Sequence, residues 1–293
     1  MLTCYLLLGP KTKGIEVVNN KLLIVLIHNN EDENPSREVA ENLMREIAGI
    51  DLVQISEQAD FSQNILLSQL FRHLLMQVRI EDLWRTYRGK QSFISRLKAG
   101  INFFYRIFLL LVLPNIRRRE WRIREIEIIL SQKHLTSWQK FQQSDANQLL
   151  VLENDAAWIK GESEEIPRLL EILAGNSPSY LNLAGGLNLA ELGIELLTET
   201  LKEPPLDNTK TFLKPITNTS CAYAINRPLV NAFLSHIENF PEQKLLGIDW
   251  LINGVFLKMS ENRIGVTCVH SQPPILLHGS MTGISNSWHP GRH

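Results

Sequence analysis

Leu22-Leu23-Ile24-Val25-Leu26-Ile27 is an unbroken apolar run that gives way at once to the polar stretch 28–34. A run this short, with no alternation, reads as a strand buried on both faces with a loop at its C-terminal end. Working outward, Ser36 reads as an N-cap, and Val39, Leu43 and Ile47 then recur at helical spacing until Gly49. Residues 52–55 return to strand. Strand, loop, helix and strand in that order call for a parallel sheet with crossover helices. A second unit starts with a strand at 148–152, continues through a helix at 166–174 and reaches a strand at 180–183. Residues 223–225 read as a further strand, and 228–237 as a helix with proline in its first turn. There is no internal repeat or low-complexity tract. The expected fold class is α/β, with a mostly parallel central sheet flanked by helices.

Leu149-Leu150-Val151-Leu152-Glu153-Asn154-Asp155-Ala156 carries an apolar strand into two carboxylates separated by one residue. Open α/β sheets bind ligands at the C-terminal edge of their strands. A pair of acids there suits a hard divalent cation, which takes oxygen ligands and leaves room for substrate phosphates. Asp155 has a second reading, as the N-cap of a helix. No Walker sequence and no Gly-x-Gly-x-x-Gly follows a strand, which weighs against kinases, ATPases and dinucleotide enzymes. A Ser-His hydrolase would need a Gly-x-Ser-x-Gly elbow, which is missing.

Charge is spread unevenly. The 293 residues carry a formal net charge of -1, and no nucleic-acid partner is expected. Yet residues 85–124 hold eleven Lys/Arg against one acid, Glu120, while the rest of the chain holds nineteen basic and thirty acidic residues. Inside that segment the run 101–113 (INFFYRIFLLLVL) is strongly apolar, and Arg117-Arg118-Arg119 follows it. A spanning helix needs about 20 apolar residues, so this run, which also contains Arg106, is too short. Residues 80–124 are expected to form a basic helical insertion. It would lie on an anionic membrane surface, bind a partner, or sit in the core. The run is too uniform to define a polar face, so the membrane reading rests on charge density. Cys4, Cys221 and Cys268 are odd in number and far apart, which supports neither a disulfide framework nor a zinc knuckle. The first ten residues have too short an apolar run for a secretory signal. The expected location is cytoplasmic, peripheral at the inner face of the membrane.

Ser131-Gln132-Lys133-His134, then Trp138, then Val151-Leu152-Glu153-Asn154-Asp155-Ala156 resemble glycosyltransferase family 25, the lipopolysaccharide-type sugar transferases. Members carry a Ser-His pair and a nearby Trp before a strand ending in Leu-Glu-Asp-Asp-Ala; here Asn154 stands in place of the first Asp. The opening strand with Arg37, and the step from Ile50 to Asp51, are also similar. Cys221-Ala222-Tyr223-Ala224-Ile225 with Arg227 is similar to the family's small-Ala-Tyr strand, and Gly247-Ile248-Asp249 takes the place of its later acidic motif. The resemblance runs over most of residues 22–278. It implies a GT-A-like fold, a nucleotide-sugar donor, a glycan or lipid-linked glycan acceptor, Mn²⁺ or Mg²⁺, and inversion at the anomeric carbon. It also implies that Ser131 and His134, one helical turn apart, lie beside the nucleotide together with Asp155.

On that reading Glu153 and Asp155 hold the metal. His278, after the apolar residues 275–277, supplies a third ligand or touches the diphosphate, with His270 a competitor for the part. Asp249 is the candidate base that takes the proton of the acceptor hydroxyl; its alternative is to cap a helix beginning at Trp250. Gly185-Gly186 is a close-approach loop or a plain turn. Two rivals stand beside this reading. One is a nucleotidyltransferase on a similar sheet, the other a non-catalytic binding or scaffold protein of the same fold. Residues 22–293 are expected to form one domain after an extension over residues 1–21.

Overall fold

The computed structural model describes residues 21–27, 35–46, 50–55, 67–87, 93–158, 165–174, 177–185, 209–212, 215–217, 219–271 and 274–278. The chain opens with β1 (Leu22–Ile27), α1 (Pro35–Glu46) and β2 (Ile50–Ile55), the unit expected from its sequence. Three long helices follow: α2 (Leu67–Tyr87), α3 (Phe93–Val112) and α4 (Pro114–Gln143). Next come β3 (Gln148–Glu153), β4 (Ala156–Trp158), α5 (Glu165–Ile172), β5 (Ser179–Asn182), β6 (Ala184–Gly185) and β7 (Thr209–Phe212). The last part is β8 (Ala222–Asn226), α6 (Arg227–Asn239), a 3-10 turn at Pro241–Leu245, α7 (Ile248–Glu261), β9 (Thr267–Ser271) and β10 (Leu276–His278).

Among the described residues the main sheet has seven strands in the order β2-β1-β3-β8-β5-β9-β7. β1 runs parallel to β2 and β3, and β5 runs parallel to β9, whereas β8 is antiparallel to both β3 and β5 and β7 is antiparallel to β9. Five strands therefore share one direction. This is the mostly parallel, helix-flanked α/β sheet that the sequence called for. A small second sheet, β4-β10-β6, sits beyond the end of β3.

The uniform burial of β1 and β3 follows from helices on both faces. Side chains alternate across a strand, so Leu23, Val25 and Ile27 enter one core with Trp138 and Phe141 of α4 and Phe233 of α6. Leu22, Ile24 and Leu26 enter the other with Val39 and Leu43 of α1 and Leu169 of α5. Ile24 is fully buried between β2 and β3, and Ile24→Ala is expected to cost about 2–5 kcal/mol in a urea melt.

Two local expectations change. Ser36 is not a cap: α1 begins at Pro35, which suits a first helical turn, and Ser36 is buried inside the helix. Ile47 and Gly49 lie outside the described residues. The basic insertion is helical but is no single element, because α2 already begins at Leu67 and α4 runs on to Gln143. The break falls at Leu113-Pro114, where the missing proline N–H and the ring's clash with the preceding turn end α3. The chain bends there by 106°.

Candidate metal centre

Alternation along β3 puts Leu149, Val151 and then Glu153 on the α4 side of the sheet. The register of β3 with β8 sets Val151 opposite Tyr223 and Leu152 opposite Ala222, and Glu153 N–H donates to Cys221 C=O at 2.8 Å. The end of β3 therefore meets the start of β8. Ser220, just ahead of that strand, donates from Oγ to Glu153 Oε1 at 2.7 Å. From the α4 side, His134 Nε2 lies 3.2 Å from the same oxygen.

The direction of these bonds can be worked out. Trp138 Nε1–H donates to Tyr223 Oη at 3.0 Å. Tyr223 Oη lies 2.9 Å from His134 Nδ1, and burial pushes the phenol far above its ordinary pKa, so it keeps its single hydrogen. With a neutral imidazole that hydrogen goes to Nδ1, which accepts, and Nε2 carries the ring hydrogen to Glu153. Trp138, Tyr223, His134 and Glu153 thus form one directed chain. It engages Oε1 twice and, among the described residues, leaves Oε2 without a hydrogen-bond partner.

After Glu153 the chain turns through Asn154 and Asp155 into β4. Because a strand and not a helix follows, Asp155 is no N-cap. β10 pairs antiparallel with β4, His278 opposite Ala156, and this brings His278 Nδ1 to 3.0 Å from Asp155 Oδ2. Asp155 Oδ1 accepts from Cys221 Sγ at 3.5 Å. One ligand atom from each of Glu153, Asp155 and His278 lies within 4.8 Å of the others.

Electrostatics set the two acids apart. Burial pushes the Asp155 carboxyl up and the neighbouring Glu153 pushes it further, with His278 and Cys221 opposing. Burial also pushes Glu153 up, but the hydrogen bond and charge of His134, the hydrogen bond from Ser220 and the charge of His278 together outweigh it and hold that carboxyl below its usual range. Two crowded carboxylates together with an imidazole form a donor set that fits a divalent cation such as Mn²⁺ or Mg²⁺. If so, His134 acts on the ion through its ligand. His134→Ala is then expected to weaken Mn²⁺ binding about 10–100-fold by calorimetry.

Asp249 sits in the first turn of α7, whose N-cap is Gly247 with no side-chain bond, so Asp249 is not the cap of a helix starting at Trp250. The residue is half-buried, yet its Oδ1 is shut off from solvent and has no hydrogen-bond partner among the described residues. Burial, then the charges of Glu153 and Glu127, push its carboxyl up to about 7 against the hydrogen bond from Ser220.

Ser131 and His134 are fully buried. Ser131 Oγ lies 2.6 Å from Leu246 C=O and braces the turn leading to Asp249, while His134 braces Glu153. His270 is also buried, with Nε2 2.9 Å from Ile216 C=O. Gly185 lies in β6, and Gly186 falls outside the described residues.

No family model matches this chain, and no curated protein does. Among solved structures it is similar to a glycosyltransferase involved in the glycosylation of the major capsid of PBCV-1. The identity is 9% over 88% of this chain and 92% of that one, with a TM-score of 0.34. A likeness that loose carries no chemistry across. The resemblance to glycosyltransferase family 25 therefore rests on the residues alone.

Proposed function

We propose that this protein is a metal-dependent glycosyltransferase, moving a sugar from a nucleotide-sugar donor to a hydroxyl of a glycan or lipid-linked glycan with inversion. The observation that carries this reading is the convergence of Glu153, Asp155 and His278 at the end of β3, with the Asp249 carboxyl near enough for the Glu153 charge to push it up. Glu153, Asp155 and His278 hold the cation, and the imidazole favours Mn²⁺ over Mg²⁺, which prefers an all-oxygen shell. Bound there, the ion neutralises the charge that grows on the departing nucleoside diphosphate.

The chain's own residues supply the rest. Trp138, Tyr223 and His134 fix Glu153 in one orientation before substrate arrives, and Ser131 fixes the start of α7. In the transfer, the acceptor oxygen bonds to the anomeric carbon as the bond from that carbon to the diphosphate oxygen breaks. Asp249 takes the acceptor's proton. A carboxyl poised near 7 is suited to that work, since it is ionised at working pH and still basic enough to accept. Residues 22–293 serve as one catalytic domain.

Donor turnover separates this reading from nucleotidyl transfer. With Mn²⁺ present, sugar nucleotides should be cleaved to free nucleoside diphosphate, and nucleoside triphosphates should not be consumed. Consumption of triphosphates with release of pyrophosphate would refute it.

A further inference from the structure

α3 presents its apolar side chains to solvent. Phe93, Leu97, Ile101, Phe104, Phe108 and Leu111 are all exposed, with Phe93 at 80% and Phe104 at 70%. At 3.6 residues per turn these six fall within an arc of about 80°, along a helix about 30 Å long. The opposite side faces the protein: Leu110 is buried, and Arg106 reaches Gln77 of α2 at 3.4 Å. The sequence of residues 101–113 alone hides this division. It emerges because the helix begins at Phe93 and turns its one polar flank toward α2.

The rim of this ridge is basic. Residues 93–119 contain six Lys/Arg and no acid. Lys98 is exposed beside the apolar arc, and Arg118 and Arg119 are exposed just beyond the 106° bend into α4. That charge pattern disfavours a second copy of the chain as the occupant. Parallel or antiparallel, two such helices would set arginine and lysine against each other with no carboxylate between them. The occupant must offer hydrocarbon along the whole ridge and negative charge at its margin. No described helix is long and apolar enough to cross a membrane by itself, so the ridge suits an in-plane contact.

We infer that α3 and the first turns of α4 form a docking surface for an anionic lipid bilayer. α3 lies in the headgroup layer with Phe104 and Phe108 toward the acyl chains, while Lys98, Arg118 and Arg119 meet lipid phosphates. This surface stands independently of the reaction at Glu153.

Flotation of the full chain with vesicles tests it. The lipids are phosphatidylcholine alone and phosphatidylcholine with about one-third phosphatidylglycerol. The chain should float with the anionic vesicles, be released by salt, and leave the neutral ones largely unbound. Phe104→Glu with Phe108→Glu, and separately Arg118→Glu with Arg119→Glu, should each weaken that binding at least about tenfold with melting temperature unchanged. All four side chains are exposed, so neither pair endangers the core. Equal binding to both lipids, no flotation of the parent chain, or parent-like binding by both variants would overturn the inference. So would a dimer abolished by the phenylalanine pair in a chain that ignores vesicles, which would assign the ridge to a second copy.

Discussion

Asp155→Asn combined with Glu153→Gln is expected to lower Mn²⁺-dependent donor turnover by about a thousandfold or more. Stabilisation of a leaving diphosphate by a bound cation is worth several kcal/mol, and each 1.4 kcal/mol is about tenfold in rate. Calorimetry should show Mn²⁺ binding falling in parallel. The fold should survive. In the metal-free chain Asp155 is pushed up by burial and by Glu153, so its charged form opposes folding, and that cost grows as pH rises past the ordinary carboxylate range. Glu153 is held below its usual range, so its charge favours folding and its loss acts the other way; with both charges removed, the metal-free melting temperature at pH 8 is expected to stay close to the parent's. A variant that loses turnover because it unfolds would melt well below the parent.

Asp249→Asn carries the second large effect. Loss of a positioned base typically costs about 10²–10⁴ in kcat, with donor binding left near its original strength. In the parent chain, kcat/KM should fall as pH drops below about 7, because the base must be ionised to accept a proton. Stability runs the other way. The Asp249 carboxyl is raised in the folded chain from 3.8 to about 7, so it favours folding below the unfolded value and loses that contribution as pH climbs through 7. Asparagine cannot ionise. In the absence of metal, Asp249→Asn should therefore melt higher than the parent at pH 8 by about 1–4 kcal/mol of stability and nearly the same at pH 4. Losing activity while gaining stability distinguishes a strained functional carboxyl from a structural one.

How far the sequence disclosed this site depended on the range of the interactions. β1 and β3 were legible because unbroken apolar runs, six residues in β1 and four in β3, need helices on both faces, and the helices are there. The end of β3 followed directly, and with it Glu153 and Asp155. His278 was legible as a histidine leaving an apolar strand, though only the pairing of β10 with β4 shows that it reaches Asp155.

Ser220 was not legible. A parallel sheet would keep the start of β8 far from the end of β3, and local pattern does not reveal that β8 runs antiparallel. The roles of Ser131 and His134 escaped for a similar reason. Their spacing puts them on one face of α4, but it does not show that this face is buried against Leu246 and Glu153. The apolar ridge of α3 was hidden because the run 101–113 leaves out Phe93 and Leu97, a third of the stripe.

The most direct measurement is anomalous diffraction at the manganese edge from crystals soaked with Mn²⁺ and a nucleoside diphosphate. The expected result is a single strong peak within coordination distance of Glu153, Asp155 and His278, with diphosphate oxygens completing the shell. A peak elsewhere, or no peak while His278 stays paired with Asp155, would contradict the metal centre and with it the proposed transfer.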